Sequence, residues 1–222
     1  MEKHTIEWHY DGFDFKFNTL DTLFSYKQID VGTIQMIESV KLQLQLQLLL
    51  QPDSKILDLA CGYGVVGIWA ANTIGSERVV MSDINVDALK MAEENVKANN
   101  LSEIKIIHSN GFENIHDTDF TLVMSNPPYH TDFSVAKEFI EGSYKHLQKG
   151  GCLVMVTKRF DWYKNKIQSV FGGVRWIESN GYFVFMAGKR DFKKVDKTKR
   201  RMSKKLQRKY QNGMVKTHAK KK

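Results

Sequence analysis

The four residues Asn126-Pro127-Pro128-Tyr129 have the types and spacing to hold a planar amino group. They follow an apolar run, Phe120–Met124, that is typical of a buried strand. Consecutive prolines donate nothing to a sheet and keep the preceding backbone extended, so carbonyl oxygens remain to accept hydrogen bonds. The Asn126 amide adds an acceptor and the Tyr129 ring adds a stacking surface. The motif indicates a site for an NH2 group, although a stiff exit from the strand would also explain the prolines.

A second candidate site is the glycine loop that follows an earlier apolar run, Ile56–Leu59. Gly62, Gly64 and Gly67 have the spacing Gly-x-Gly-x-x-Gly, which is weak alone but here joins a predicted strand to a predicted helix. Glycine at 62 and 64 lets the backbone approach a ligand closely. The helix N-terminus favours a carboxylate or a phosphate, so a dinucleotide and S-adenosylmethionine (SAM) both fit.

Two aspartates distinguish between these cofactors. Asp83 ends the next predicted strand, 21 residues after Gly62, where a carboxylate can bind both ribose hydroxyls. Asp58 lies inside the strand before the glycines, where it would repel a pyrophosphate but could bind the ammonium of an amino acid. This arrangement favours SAM over NAD. Asn110-Gly111, after the third strand, is placed to contact adenine or is simply a turn.

The elements that must position these residues follow from hydropathy periodicity. Alternation on either side of Asp11-Gly12 predicts an N-terminal hairpin. Thr33 is a candidate N-cap for a helix running to about Leu49, although the alternating Leu and Gln residues from Lys41 also fit a strand. From Lys55 onward strands and helices alternate. The predicted strands are 56–59, 78–82, 104–108, 120–125 and 152–157, and the predicted helices are 65–71, 85–99, 134–147 and 162–170.

This alternation predicts an α/β fold, a mostly parallel sheet with helices on both faces. Gly150-Gly151 are expected to end the helix before the 152–157 strand. A final hairpin turning at Asn180-Gly181 is expected to add an antiparallel edge.

The net charge of +8 is unevenly distributed. Residues 188–222 contain 16 Lys and Arg against 2 Asp, a charge of +14, whereas residues 1–187 contain 17 basic and 23 acidic residues, a charge of −6. A basic terminal segment predicts contact with an acidic backbone such as RNA. Within it Met202, Leu206 and Tyr210 recur every four residues, as in a basic amphipathic helix that forms on binding.

The remaining composition indicates a reduced intracellular protein. Cys61 and Cys152 both lie in apolar segments, and their spacing matches neither a disulfide framework nor a metal site. No signal peptide and no apolar run of membrane-spanning length is evident. We therefore expect a cytoplasmic protein with no membrane and no metal partner.

The motifs together resemble the class I SAM-dependent methyltransferases that methylate amino groups on DNA, RNA or protein glutamine. The residues that carry this resemblance are Asp58–Gly64, Asp83 and Asn126–Tyr129. The closer resemblance, over roughly Phe13 to Lys189, is to the small-subunit rRNA guanine-N2 methyltransferases of the methyltransferase small-domain (MTS) type. It includes four further features: Leu23-Phe24-Ser25, Asp30-Val31-Gly32-Thr33, His130 and Gly181-Tyr182-Phe183.

The resemblance implies a Rossmann-like seven-stranded sheet with an antiparallel terminal hairpin. It implies a hairpin and helix at 1–53 packing on the core, a methyltransferase core at 54–188 and a basic tail at 189–222. The implied catalytic residues are Asn126, Pro127 and Tyr129, and Tyr129, His130 and Phe24 would bind the substrate. The implied SAM-binding residues are Asp58, Cys61, Gly62, Gly64, Asp83, Ile84, Asn110 and Gly111.

The implied reaction is methylation of an exocyclic amine of an RNA base, guanine N2 or adenine N6, in rRNA. Tyr129 replaces the Phe common in the guanine-N2 enzymes, so the resemblance does not decide between guanine and adenine as the target base. Many members carry a second, degenerate domain that helps hold RNA, whereas this chain has a basic tail. The alternatives are methylation of a protein glutamine, disfavoured by the short N-terminal segment, and a non-catalytic RNA-binding or ribosome-assembly protein, disfavoured by the intact cofactor residues.

Overall fold

The computed structural model describes residues 1–42, 50–51, 53–128 and 133–189. The strands in this part of the chain are β1 Lys3–Tyr10, β2 Phe13–Leu20, β3 Ile56–Leu59, β4 Val79–Asp83, β5 Lys105–His108, β6 Phe120–Ser125, β7 Leu147–Thr157, β8 Arg175–Ser179 and β9 Tyr182–Gly188. The α-helices are α1 Val31–Leu42, α2 Val65–Ile74, α3 Val86–Ala98, α4 Phe133–His146 and α5 Asp161–Phe171. The predicted alternation of strands and helices is confirmed.

The N-terminal hairpin turns where the sequence predicts. Tyr10 pairs with Phe13, which leaves Asp11 and Gly12 as the two turn residues. Both have positive φ, 58° and 79°, the conformation that a tight two-residue hairpin turn requires. The strands pair antiparallel along their full length, and Phe15 and Phe17 of β2 are buried in the core beside the main sheet.

The main sheet has seven strands in the order β5-β4-β3-β6-β7-β9-β8. Pairings are parallel from β5 through β7, and β9 is antiparallel to both β7 and β8. The predicted Rossmann-like sheet with an antiparallel terminal hairpin is therefore confirmed. The chain winds outward from β3 to β5 and then returns to lay β6 on the other side of β3. Ligands of open α/β sheets bind in the crevice that such a reversal leaves at the carboxyl ends of the strands.

Helices cover both faces of this sheet, as predicted. Alternate residues of each central strand face opposite sides, so Ile56 belongs to one buried cluster and Leu57 to the other. The first cluster is covered by α1, α2, α3 and the β1–β2 hairpin, and the second by α4 and α5. The residues predicted to form the apolar face of α3 are all buried: Ala88, Met91, Ala92 and Val96.

The start of α1 differs from the prediction. The helix begins at Val31, and the capping residue is Asp30 rather than Thr33. The Asp30 carbonyl accepts from the Ile34 N–H at 3.0 Å, and Asp30 Oδ2 accepts from the Thr33 N–H at 2.9 Å. A carboxylate caps a helix at least as well as a hydroxyl and is further favoured by the helix dipole. The helix is described as far as Leu42, and the predicted extension through 43–49 lies outside the described residues.

Gly150 and Gly151 do not end the helix before β7, contrary to the prediction. Helix α4 ends at His146, and β7 begins at Leu147 and runs through both glycines. A Cβ on Gly151 would lie 2.8 Å from the Phe120 carbonyl oxygen, and the β6–β7 register shifts between Phe120 and Leu122. Glycine is therefore needed there for close approach of two strand backbones.

None of the helices in the described ranges is long and apolar enough to cross a membrane. The tail residues Met202, Leu206 and Tyr210, for which a helix is predicted, lie outside the described residues.

Candidate functional site

A cavity of about 460 Å³ lies where β3, β4 and β6 end, at the point where the strand order reverses. Ten of the residues implicated by sequence line it: Phe24, Asp58, Cys61, Gly62, Asp83, Ile84, Asn110, Gly111, Asn126 and Pro127. Gly64 is not among the lining residues. Tyr129 and His130 lie outside the described residues. One cavity thus contains both the glycine loop and the first residues of the Asn-Pro-Pro motif.

The glycine loop turns sharply between β3 and α2. Ala60 and Gly62 have positive φ of 60° and 56°, and a Cβ on Gly62 would meet no atom within 4 Å, so this glycine faces open space. Gly64 caps α2 with φ 95°, and its Cβ position faces core atoms of Met81 and its neighbours at 3.4 Å. Gly64 therefore shapes the loop, whereas Gly62 presents backbone to the cavity. Ala60 is a non-glycine residue in a strained conformation at the cavity wall.

Asp83, at the end of β4, is held by two backbone donors. Its Oδ2 accepts from the Gly62 N–H at 2.8 Å, and its Oδ1 accepts from the Asn85 N–H at 2.9 Å. Each carboxylate oxygen has a second lone pair available to a ligand. The side chain is thereby fixed with its acceptors at the cavity wall, the arrangement that two adjacent sugar hydroxyls require.

Asp58 is a buried carboxyl group beneath the glycine loop, only 2% exposed. Its pKa is raised from 3.8 to about 7, mainly by burial and also by the nearby Asp83 charge, while the hydrogen bond from the Gly67 N–H at 2.8 Å acts in the opposite direction. A carboxylate in such surroundings is stabilised by a cationic ligand. Asp58 is therefore suited to hold an ammonium group.

The other lining residues implicated by sequence have distinct surroundings. Burial, with the Asp58 and Asp83 charges, raises the pKa of the Cys61 thiol well above its ordinary value, so this cysteine is a packing residue rather than a nucleophile. Ile84 is 61% exposed, and a flat apolar ligand could cover it. The Asn110 side chain donates to Glu113 Oε1 at 3.1 Å, and Gly111 has φ 54°. Asn110-Gly111 is thus both a turn and part of the cavity wall.

Asn126, at the end of β6, is the best-defined polar group of the motif. Its Nδ2 donates to Asp30 Oδ2 at 2.8 Å and to Thr33 Oγ1 at 3.0 Å. Its Oδ1 is buried and accepts no hydrogen bond within the described part of the chain. Buried polar atoms are nearly always paired, so an unpaired acceptor at a cavity calls for a ligand donor.

The sequence prediction missed three contributors to this site. Asp30 and Thr33 at the start of α1 orient Asn126, and Tyr63 of the glycine loop lines the cavity. The Tyr63 OH donates to the Ser25 carbonyl at 3.2 Å, which brings the loop containing Phe24 to the cavity. The pattern Asp-x-x-Thr before a helix was the available signal for Asp30, because it is a capping sequence. No local signal indicates the contact with Asn126, 96 residues away.

Cations and aromatic rings lie together after the end of β7, the strand that pairs with β6. Lys158 and Arg159 follow β7, the parallel neighbour of β6. Lys158 Nζ lies 4.7 Å from the Tyr182 ring centroid, and the Arg159 guanidinium lies 4.9 Å from that of Phe133. The Trp162 ring also stacks on Phe133 at 4.3 Å. Such a surface suits a phosphate backbone with accessible bases.

One family model and several known proteins are similar to this sequence. The model described as "Methyltransferase small domain" matches residues 14–187. The protein named YbxB of Bacillus subtilis is 27% identical over 194 residues, which are 84% of this chain and 92% of that protein. "Ribosomal RNA small subunit methyltransferase C" of Shewanella amazonensis is 34% identical over 173 residues, which are 76% of this chain and 48% of that protein.

A solved structure shows the same fold. It is titled as the T. thermophilus 16S rRNA N2 G1207 methyltransferase (RsmC) in complex with AdoMet and guanosine. The TM-score is 0.74 at 24% identity, and the match covers 85% of this chain and 51% of that one. This chain thus spans about half the length of the rRNA small subunit methyltransferase C relatives that it matches.

Proposed function

The chain belongs to the methyltransferase small-domain family, and from that premise we propose that it is a SAM-dependent N-methyltransferase. The proposed substrate is the exocyclic amine of an RNA base, guanine N2 in small-subunit rRNA. This substrate is suggested by the relatives named rRNA small subunit methyltransferase C and by the solved RsmC structure of similar fold, which is in complex with guanosine. The proposal also rests on chemistry at the site of this chain.

The observation that carries the proposal is the buried, unpaired oxygen of Asn126. Both hydrogens of the Asn126 amide are used by Asp30 and Thr33, so the side chain can offer its ligand only an acceptor. An acceptor of this kind suits an NH2 group and does not suit a carbonyl or a phosphate. Pro127, also at the cavity, contributes a carbonyl that can accept the second hydrogen of the amine.

The residues at the glycine loop fit SAM. The Gly62 backbone faces open space, the Asp83 carboxylate is aligned for two hydroxyls, and the buried Asp58 is suited to an ammonium group. In this proposal Asp58, Cys61 and Gly62 hold the methionine part and Asp83 the ribose. Ile84, Asn110 and Gly111 would contact the adenine. When bound, SAM supplies an electrophilic methyl group on a sulfonium ion.

The chain's own contribution to the reaction is positioning and exclusion of water. The Asn126 oxygen and the Pro127 carbonyl would hold the two amine hydrogens, which withdraws the nitrogen lone pair from conjugation with the ring and directs it toward the methyl donor. Asn126 is neutral and removes no proton before attack. A base reaching this cavity must leave its stack, and stacking on Tyr129 remains our prediction for how it is held.

RNA as the substrate class is supported by charge and by ring contacts. The cations Lys158 and Arg159 stand beside aromatic rings just after β7, the strand that pairs with the one leading into Asn126. The sequence after residue 187 carries a charge of +14. We propose that Lys158 and Arg159 contact the RNA strand next to the target base, that the tail contacts phosphates farther away, and that the substrate is rRNA within a ribosomal particle.

The test is methyl transfer from labelled SAM to 30S subunits, free 16S rRNA, tRNA and a peptide release factor, followed by mass spectrometry of the modified residue. N2-methylguanosine in the small-subunit samples is the expected product. N6-methyladenosine would overturn the choice of base, and label on glutamine would overturn RNA as substrate. If SAM binds and no substrate accepts a methyl group, the catalytic proposal is wrong.

A further inference from the structure

Asp30 connects the start of α1 to the candidate catalytic amide. It is 8% exposed, and its two oxygens accept hydrogen bonds from three different parts of the chain. Oδ2 accepts from the Thr33 N–H at 2.9 Å and from Asn126 Nδ2 at 2.8 Å, and Oδ1 accepts from the Tyr182 OH at 3.2 Å. This carboxylate therefore serves the helix cap, the end of β6 and the beginning of β9 together.

The chemistry of a carboxylate determines which way the Asn126 amide faces. An asparagine side chain can rotate by 180° and exchange its oxygen for its NH2 group, and neutral partners often tolerate both orientations. An ionised carboxylate only accepts, so it selects the orientation in which Nδ2 faces Asp30. Thr33 Oγ1 accepts the other Nδ2 hydrogen at 3.0 Å. The amide oxygen is then the only atom left to meet a ligand.

We propose that Asp30 is a positioning residue for methyl transfer, acting through Asn126. It fixes the amide oxygen as the acceptor for the substrate amine, and its charge polarises the amide so that this oxygen accepts more strongly. The inference rests on the proposed function, because the oxygen matters only if the substrate presents an NH2 group.

Two neighbours keep the Asp30 carboxylate in place. The Tyr182 hydroxyl holds Oδ1, which leaves Oδ2 directed at Asn126. Gly32 makes room for this contact, because a Cβ there would lie 2.6 Å from the Tyr182 ring and 2.9 Å from Asp30 Oδ2. The positioning therefore depends on a glycine in the first turn of α1 and on a tyrosine from the terminal hairpin.

Single substitutions separate geometry from charge. Asp30→Asn keeps an equally good helix cap and an oxygen for both bonds now made to Oδ2, so it removes mainly the charge. We expect Asp30→Asn to lower kcat about tenfold and Asp30→Ala to lower it about a hundredfold, with the SAM dissociation constant changed less than about threefold. The matched control is Asp87→Asn, a partly exposed carboxylate in the first turn of α3, which should leave kcat unchanged. Wild-type kcat in Asp30→Ala would overturn the proposal.

A charge exchange tests the pairing itself. Asn126→Asp alone places two carboxylates in contact and should lower kcat at least about a hundredfold. In the double variant Asp30→Asn/Asn126→Asp, the amide introduced at position 30 can rotate so that its NH2 group donates to the carboxylate introduced at position 126, which gives up the bond from the Thr33 N–H. The second oxygen of that carboxylate again faces the ligand as an acceptor. We expect kcat of this double variant to be at least about tenfold above that of Asn126→Asp. Asp30→Ala/Asn126→Asp relieves the same repulsion without supplying a donor, so equal recovery in the two double variants would show that the pairing is not needed, and the proposal is then wrong.

A measurement without turnover keeps this inference distinct from the proposed function. The side-chain 15N–1H resonances of Asn126, assigned by their absence in Asn126→Ala, report whether Nδ2 is hydrogen-bonded to a carboxylate. We expect slow hydrogen exchange in the wild type and exchange at least about tenfold faster in Asp30→Ala. Equal exchange would overturn the positioning by Asp30. A protein that shows the expected exchange but methylates no RNA would refute the proposed function and leave the orientation of Asn126 established.

Discussion

The Gly62 N–H donates to Asp83 Oδ2 across 2.8 Å, so the glycine loop after β3 and the end of β4 are held as one unit. In Asp83→Asn, one of the two carboxylate oxygens becomes an NH2 group, which cannot accept a hydrogen bond from a backbone N–H. The substitution also removes the negative charge proposed to bind the two ribose hydroxyls. We expect the SAM dissociation constant to rise at least about tenfold, measured by calorimetry, since hydrogen bonds to charged groups are strong. Asp119→Asn, which removes an exposed partner of Lys55, is the matched control and should bind SAM as the wild type does.

Asn126→Ala removes the acceptor proposed for the substrate amine. Turnover should fall by about a hundredfold or more, as for other lost transition-state contacts, while SAM affinity stays nearly constant. Single-turnover kinetics with labelled SAM measures the first quantity and calorimetry the second. Asn72→Ala is the control, because Asn72 donates to the Ile68 carbonyl of its own helix, away from the cavity. A mutant with wild-type turnover would exclude Asn126 from catalysis.

The raised pKa of Asp58 should make the free energy of unfolding depend on pH. Its pKa is about 7 in the folded protein and 3.8 in the unfolded chain, so between these values the folded protein binds the extra proton. The contribution of Asp58 to the free energy of unfolding is therefore constant below about pH 4, falls up to about pH 7 and is constant above it. Compared with Asp58→Asn, wild-type protein without SAM should lose about 2–3 kcal/mol between about pH 5 and pH 8 in urea unfolding. Parallel pH profiles of the two proteins would refute the shift.

SAM affinity gives a second readout of the same carboxyl group. If Asp58 holds the ammonium group, binding requires its ionised form, so the dissociation constant should rise toward about tenfold per pH unit below about pH 7. Asp58→Asn should bind SAM weakly with little pH dependence. A wild-type affinity that stays constant from about pH 5 to pH 8 would place the ammonium elsewhere.

The basic tail predicts a steep dependence of RNA binding on salt. If the tail neutralises about six phosphates, affinity should fall about a thousandfold between 50 and 200 mM salt. We would replace four cations of the tail with Gln: Lys204, Lys205, Arg208 and Lys209. This change should lower the steepness of log affinity against log salt by about three to four. Lys90→Gln, an exposed lysine of α3, is the control for general charge. An unchanged slope would show that the tail is not the RNA anchor.

Asn95 connects the N-terminal hairpin to the glycine loop. Its side chain pairs with the Asn18 backbone at 2.6 and 2.8 Å and donates to the Tyr63 carbonyl at 2.9 Å. Asn95→Ala leaves these buried groups unpaired, so it should cost about 2–3 kcal/mol of unfolding free energy and weaken SAM binding. Asn99 makes the same backbone pair with Lys16, but its remaining partner is the Asn95 carbonyl of its own helix rather than the glycine loop. Asn99→Ala should therefore destabilise less and bind SAM normally, and equal SAM affinities in both mutants would refute the connection.

The parts of the fold that were predictable from sequence are those fixed by short-range chemistry. The Asp11-Gly12 turn, the glycine loop and the buried face of α3 each depend on residues within a few positions of one another. The glycines at 150 and 151 misled the prediction, because the lack of a side chain at Gly151 is required by a neighbouring strand rather than by a helix end. The sequence around Gly151 does not indicate its close approach to the Phe120 carbonyl, because Phe120 lies on another strand.

The site was predictable to the same extent. Asp83 was predictable from its spacing to the glycine loop and Asn126 from the motif that it begins, and both follow predicted strands. Parallel strands bring such ends to one edge of the sheet, where both residues line the cavity. Asp30 was missed as a functional residue because its partners are 96 and 152 residues away in the chain. Contacts at such separations depend on the complete tertiary fold.

The contact between Tyr182 and Asp30 determines when, during synthesis of the chain, the site can be completed. A ribosome that has translated the chain through β7 has already made the glycine loop, Asp83, Asn126 and Asp30. The strand that carries Tyr182 is the last of the sheet to leave the exit tunnel. The nascent chain therefore has the elements proposed for the cofactor before the Tyr182 hydroxyl can hold the carboxylate that contacts Asn126, so the proposed positioning of Asn126 is complete only once the terminal hairpin is in place.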